Sequence, residues 1–210
     1  MIVDDHPVTR EGLAMRIGIE HDLDVCGEAE DVDGAFELAL KSRPDVAVID
    51  ISLKNGNGID LIKRLKAHDS HVRMLVWSMY DESLYAERAL RAGALGYINK
   101  ENVADTIIEA IRSVLRGDIY LSPELSKKLL NRVVQGKEAA GKAPTETLSD
   151  RELETFALIG RGKTTAEIAK TMKLSPKTIE TYRARIKDKL ELDDMSALIR
   201  EAAQWVLENG

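Results

Sequence analysis

The first 116 residues alternate five times between a short apolar run and a longer stretch whose apolar residues recur at helical spacing, and few folds accept that pattern. Residues 1–3, 23–27, 45–49, 74–77 and 95–98 are short, apolar and bounded by turn or charged residues, so they read as strands. Residues 8–19, 32–41, 58–66, 83–92 and 103–116 carry the i, i+3, i+4 spacing of amphipathic helices. Strand and helix in strict alternation imply a five-stranded, doubly wound parallel sheet, covered on both faces by right-handed crossovers. Any site in such a sheet forms in the crevice beyond the C-terminal ends of the strands.

Beyond Arg116 the strand signal stops. Residues 123–134 read as a helix, and 136–146 (GKEAAGKAPTE) have the small, charged, Pro-containing composition of an exposed linker. From Leu148 onward only helical patterns occur, over about 150–159, 165–172, 176–190 and 196–207. The division expected is therefore an α/β domain over 1–116, a helical linker and flexible segment over 117–146, and a small all-α domain of four helices over 147–210. At 44% hydrophobic residues the chain has enough apolar material for two folded cores.

Several classes are set aside by composition. No stretch approaches the roughly 18 apolar residues of a membrane span, and no basic segment leads into an apolar run at the start, so a cytoplasmic protein without membrane contact is expected. Cys26 is the only cysteine, which excludes an intrachain disulfide, and its setting beside Leu23 and Val25 reads as a buried strand thiol. His6, His21, His68 and His71 lack the spacing of a zinc site. The net charge of −6 hides an asymmetry: residues 1–115 carry 13 basic against 21 acidic side chains, whereas 161–189 carry 9 basic against 3 acidic. A local basic stretch in an acidic chain is the footprint of a nucleic-acid contact.

Asp4 and Asp5 follow the first strand directly, and Asp50 follows the third. In a doubly wound sheet those positions meet at one edge. Crowded carboxylates raise one another's pKa, so the cluster calls for a cation, and an oxygen-only set of this kind suits Mg²⁺. The fourth strand runs to Ser78 and the fifth leads through GYINK to Lys100, which brings a hydroxyl and an ammonium to the same edge. Together these groups supply what phosphoryl transfer to a carboxylate requires: a nucleophile, a metal, and donors for the oxygens that carry transition-state charge.

The segments IVDDHP, VAVIDISL, LVWSMYDE and ALRAGALGYINK, in that order, resemble the receiver domain of response regulators over about 110 residues. The resemblance implies Asp50 as phosphoacceptor, Asp5 as a direct Mg²⁺ ligand, Asp4 acting mainly through water, and the Ser52 backbone carbonyl as a further ligand. It also implies Ser78 and Tyr97 as a switch pair and Lys100 as the phosphate-contacting lysine. In the mechanism it implies, the aspartyl phosphate draws Ser78 inward and Tyr97 moves into the space vacated. Two departures stand out. Lys54 occupies a position where the family usually has proline, which re-aims the loop and adds a cation near the site. The first strand is also short: either Met1 is a truncated start or that strand is less firmly held.

In TTAEIAKTMKLSPKTIETYRARIKDKL a short helix reaches Met172, a tight turn follows, and Ser175 with Pro176 supplies an N-cap and first-turn proline for a second helix. Ile179, Tyr182, Ile186 and Leu190 make its apolar stripe. Helix-turn-helix readers put the start of the second helix in the major groove, so base-edge contacts fall to Lys177, Glu180, Thr181 and Ala184, with Glu180 suited to a cytosine amino group. Arg183, Arg185 and Lys187 are placed for phosphates. The region from LSDREL to LEL resembles the LuxR-type DNA-binding domain, and the whole chain resembles the NarL/FixJ subfamily of response regulators. Glu180 departs from the lysine common there, and Tyr182 from histidine.

The resemblance implies a non-enzymatic regulator with a sensor histidine kinase and promoter DNA as partners, and a homodimer when phosphorylated or bound to DNA. In the last helix, Met195, Leu198, Ile199, Ala202, Trp205 and Val206 form an apolar stripe that serves the core or such a partner. A resting monomer whose receiver covers part of the recognition helix is the expected inactive form. An alternative is a DNA-binding regulator whose receiver acts without phosphorylation. A P-loop reading of GRGKTT fails because Ala157 stands where the earlier glycine is required, and a flavodoxin-like cofactor binder lacks any glycine-rich phosphate loop after a strand.

Overall fold

A computed structural model of the chain describes residues 1–68, 71–101, 106–134, 147–172 and 174–209, apart from the side chains of 132–134 and 208–209. The expected linker over 136–146 and the expected helix start at 103–105 lie outside these residues. The chain divides into two compact units, Met1–Lys128 and Leu129–Gly210, with the boundary inside a helix, α6 (Pro123–Val134).

The first unit holds β1 (Ile2–Val3), α1 (Pro7–Ile17), β2 (Glu28–Ala29), α2 (Val32–Ser42) and β3 (Val46–Ile49). A short hairpin, β4 (Ser52–Leu53) and β5 (Gly56–Asn57), leads into α3 (Gly58–Ala67), followed by β6 (Arg73–Ser78), α4 (Glu82–Ala92), β7 (Gly96–Asn99) and α5 (Thr106–Arg116). The main sheet is parallel throughout, in the order β2-β1-β3-β6-β7. Successive strand residues point to opposite faces. Ile2, Val48, Leu75 and Ile98 therefore pack with Leu13 and Ile17 of α1 and with Ile107, Ile108, Ile111 and Val114 of α5. Their neighbours Val3, Ala47, Ile49 and Val76, also buried, face the other layer, where α2 packs on α3 and α3 on α4.

Two readings change. The second strand is not 23–27 but Glu28–Ala29, because it is the Gly27 and Ala29 carbonyls that accept from Ile2 and Asp4 of the first strand's ladder, each at 3.0 Å. Leu23 and Val25 still pack against the core without joining the sheet, while Cys26, the residue after Val25, is exposed rather than buried. The hairpin after Asp50 carries no sequence signal longer than two residues per strand. The other elements fall within a residue or two of expectation, and α6 spans 123–134 as read.

The second unit is all-helical beyond α6: α7 (Asp150–Gly160), α8 (Thr165–Thr171), α9 (Pro176–Lys189) and α10 (Met195–Asn209). Reciprocal capping boxes start two of these helices, Ser149 with Glu152 and Thr164 with Glu167, and each satisfies backbone donors that the helix itself leaves unpaired. Phe156, Ile168, Ile179, Ile186, Leu198 and Ala202 are fully buried and form the core. The apolar stripe of α10 splits: Leu198 and Ala202 are buried and Trp205 lies against Phe156 at 5.5 Å between ring centroids, while Met195 and Ile199 are exposed. Among the described residues no helix is long and apolar enough to cross a membrane.

Helix α7 meets α10 at Gly160, where an added Cβ would lie 2.3 Å from the Ala202 carbonyl oxygen. Gly160→Ala is therefore expected to push the two helices apart and destabilise this unit by about 1–3 kcal/mol, read as a lower midpoint in urea. Glu152 responds to pH. Burial pushes its carboxyl up, but the Lys189 ammonium at 2.6 Å and the Ser149 donors more than offset this and hold it below the usual carboxylate range. A lowered folded-state pKa means stability that is present above the unfolded value, about 4.3, and lost as pH falls through the folded one. Thermal melts between pH 6 and pH 3 should show this loss, and Glu152→Gln should flatten it.

Candidate functional site

The parallel ladder delivers the acidic residues to one edge. Asp50 donates its backbone N–H to Val3 (2.8 Å) and Asp4 donates to Ala29 (3.0 Å), so both carboxyls emerge where β1 and β3 end. Pro7 at the first turn of α1 follows immediately, and the His6 backbone N–H donates to Asp4 Oδ1 at 2.8 Å. From the other side, Ser78 pairs in register with Asn99, and the Lys100 N–H donates to the Ser78 carbonyl at 2.8 Å. The sheet itself thus sets Ser78 and Lys100 beside the acids.

The side chains converge as the sequence predicts. Asp4 is 1% exposed, Asp50 4% and Ser78 not at all. Ser78 Oγ donates to Asp50 Oδ1 at 2.5 Å, with the Ser52 N–H at 3.3 Å from the same oxygen. Lys100 Nζ bridges Asp50 Oδ2 (2.7 Å) and Asp4 Oδ2 (2.5 Å), and lies 5.3 Å from the centre of the Trp77 ring. Burial raises the Asp50 pKa above its ordinary value; Lys100 and Ser78 pull it back, and the neighbouring Asp4 adds to the rise. Donor atoms of Asp4, Asp5, His6 and Asp50 all lie within 4.8 Å of one another. Three carboxylates so close, two of them buried, fit a hard divalent cation such as Mg²⁺.

His6 is the member of this cluster that sequence reasoning passed over. Its Nδ1 lies 2.8 Å from Asp5 Oδ1, and the signal was its place in the DDHP run rather than any zinc-like spacing. The Lys54 ammonium is paired with Glu30 at 2.8 Å and is still within reach of the Asp5 charge. The loop it occupies is closed by the β4–β5 hairpin, and Asn57 at its end accepts from Ile59 N–H to cap α3. Gly58 follows because a Cβ there would lie 2.1 Å from the Asp50 carbonyl oxygen.

Tyr97 is 1% exposed, with its hydroxyl donating to the Tyr80 carbonyl at 2.9 Å, and burial pushes the phenol well above its ordinary pKa. Ser78 turned toward Asp50 and Tyr97 inside are the positions the resemblance assigns to the phosphorylated state. The Tyr97 N–H also donates to the Tyr120 carbonyl (3.0 Å), Tyr120 N–H to Leu95 (2.9 Å), and Ser122 N–H to Glu82 of α4 (2.9 Å). The segment after α5 is therefore attached to the strand that carries Tyr97, a connection with no signal in the sequence.

In the second unit Ser175 caps α9 by accepting from Thr178 N–H, and Ile179 and Ile186 anchor the helix in the core. Lys177, Glu180, Thr181, Ala184 and Arg185 are exposed along the opposite face, and Lys187 is half-buried. Arg183 behaves differently from Arg185. Its side chain is 14% exposed and its guanidinium donates to Thr165 Oγ1, so it faces α8 rather than an open surface.

Replacing Lys100 by Ala would leave Asp4 and Asp50 buried without a counter-charge. A loss of about 3–5 kcal/mol in metal-free buffer is expected from urea unfolding, with Mg²⁺ raising the midpoint more in Lys100→Ala than in wild type.

Comparison with known proteins gives two family matches: residues 1–112 match the response regulator receiver domain, and residues 146–202 match the bacterial regulatory proteins of the luxR family. The oxygen regulatory protein NreC of Staphylococcus carnosus (strain TM300) is 34% identical over 206 residues, covering 96% of this chain and 95% of that one. The transcriptional regulatory protein DegU of Brevibacillus brevis is 30% identical over 221 residues, covering 98% and 94%. Among solved structures, RcsB of Salmonella enterica serovar Typhimurium bound to promoter rprA with the phosphomimetic BeF3- superposes with a TM-score of 0.60, at 25% identity over 96% of each chain.

Proposed function

Since the chain belongs to the two-component response regulators that join a receiver domain to a luxR-family DNA-binding domain, we propose that phosphorylation of Asp50 by a sensor histidine kinase controls its binding to promoter DNA. The observation that carries this reading is the convergence of Ser78 and Lys100 on a single buried carboxylate. An Asp50 oxygen attacks the phosphorus of a phosphohistidine, the P–N bond breaks, and the imidazole leaves. As the bonds change, Lys100 Nζ and Ser78 Oγ turn from the carboxylate to the phosphoryl oxygens, where transition-state charge is greatest. Asp4, Asp5, Asp50 and the Ser52 carbonyl would hold Mg²⁺, which would supply the positive charge that a phosphoryl group needs to approach three acids.

Signalling follows from the same contacts. A phosphoryl oxygen holds Ser78 inward more strongly than a carboxylate does, and the space beneath keeps Tyr97 buried, so phosphorylation shifts the population toward this arrangement. The receiver spans 1–116, the segment 117–146 links the domains, and 147–210 bind DNA in the cytoplasm. Lys177, Glu180, Thr181 and Ala184 read base edges in the major groove, with Arg185 and Lys187 on phosphates. A homodimer on a two-fold operator is supported by RcsB, whose dimers have been solved bound to DNA.

Intact-mass measurement after incubation with acetyl phosphate and Mg²⁺ tests the first step. Wild type should gain one phosphoryl group and Asp50→Ala none. Gel shifts on a selected duplex should then show tighter binding by phosphorylated wild type, while Ser78→Ala gains mass but loses most of that increase. No mass gain in wild type would leave a regulator whose receiver acts without phosphorylation.

A further inference from the structure

The exposed face of α9 carries an acid near its start, Glu180, among Lys177, Thr181, Ala184 and Arg185, with Asp188 further along at the other end of the helix. An acid pointed at DNA is repelled by the phosphates, so a free glutamate side chain would swing away from the groove. Here it is held. Thr165 Oγ1, at the start of α8, donates to Glu180 Oε1 at 2.8 Å. The same hydroxyl accepts from Arg183 Nη1, one turn along α9 from Glu180, and that guanidinium nitrogen lies 3.7 Å from Glu180 Oε1. A hydroxyl that accepts from a cation donates more strongly to an anion, so the three groups reinforce one another. Glu180 Oε2 has no hydrogen-bond partner among the described residues, and the side chain is 54% exposed.

Resting on the DNA-reading role proposed above, we infer that Thr165 and Arg183 are positioning residues that aim the Glu180 carboxylate at the amino group of a cytosine, so that the chain selects a C·G pair at one position in each half-site. A carboxylate only accepts, and the major groove offers amino donors on cytosine and adenine alone. The adenine amino group is flanked by acceptors on both sides, N7 and the thymine O4. The cytosine amino group has an acceptor on one side only, so it alone can be approached by an anion without a second repulsion. Arg183, mostly covered by α8, serves the acid rather than a phosphate.

The test uses the full chain treated with acetyl phosphate and a library of random-sequence duplexes, followed by anisotropy measurements on the selected duplex and its single-pair variants at several salt concentrations. Wild type is expected to select C·G at one position per half-site and to lose roughly 10-fold or more in affinity when that pair is changed. Thr165→Val should reduce this discrimination to about 3-fold or less, with other positions still read, and Thr165→Ser should restore it. Arg183→Ala should weaken the same preference without changing the slope of log affinity against log salt. A slope smaller by about 1 would put Arg183 on a phosphate and overturn the assignment. Wild-type discrimination in Thr165→Val would overturn the positioning role and leave DNA reading intact, whereas a wild-type chain that selects no sequence would overturn both.

Discussion

Two buried carboxylates share one ammonium at the C-terminal edge of the parallel sheet, and the rest of the receiver is arranged around that contact. Asp4 and Asp50 are each nearly inaccessible to water, a costly place for a carboxylate without a partner, and Lys100 Nζ reaches both. An arrangement so dependent on one cation is well suited to respond when charge is added. A metal ion or a phosphoryl group alters the balance among Asp4, Asp50, Lys100 and Ser78, and none of these groups can adjust without moving a partner.

The route outward from that contact is built from backbone as much as from side chains. Ser78 and Lys100 lie at the ends of β6 and β7 and are joined by a main-chain hydrogen bond. Tyr97, three residues before Lys100, is bonded through its own N–H to Tyr120, and Glu82 at the start of α4 accepts from Ser122. Of residues 120–122, Tyr120 alone bridges to the β7 edge, at Gly96, and pairs backbone groups there that an edge strand otherwise leaves open. A change at the acidic cluster thus meets a strand already tied to the segment that leads into α6.

The helical unit solves a different problem. A small domain has little core, and it gains much of its order from helix ends: two capping boxes, the Ser175 cap, and Lys189 reaching Glu152 from another helix. These fix α9 so that Ile179 and Ile186 enter the core of the unit while Lys177, Thr181 and Ala184 lie on its outer side. The same economy places Thr165, a residue just inside the α8 cap, against Glu180 and Arg183 of α9.

Much of this was legible in the order of residues. Alternating strand and helix patterns, acids after the first and third strands, and the SP start of α9 specify elements, and the parallel topology then dictates which strand ends meet. Local chemistry does not show which backbone groups pair across the sheet: the apolar run at 23–27 predicts the second strand and a buried Cys26, whereas Gly27 and Ala29 make the bonds and Cys26 is exposed. Nor could it show that Lys54 turns to Glu30, that Tyr120 joins β7, or that Arg183 faces Thr165. Each of those joins residues from separate elements, and such a contact is set by the relative placement of the elements, a property of the packed chain that no stretch of sequence carries alone.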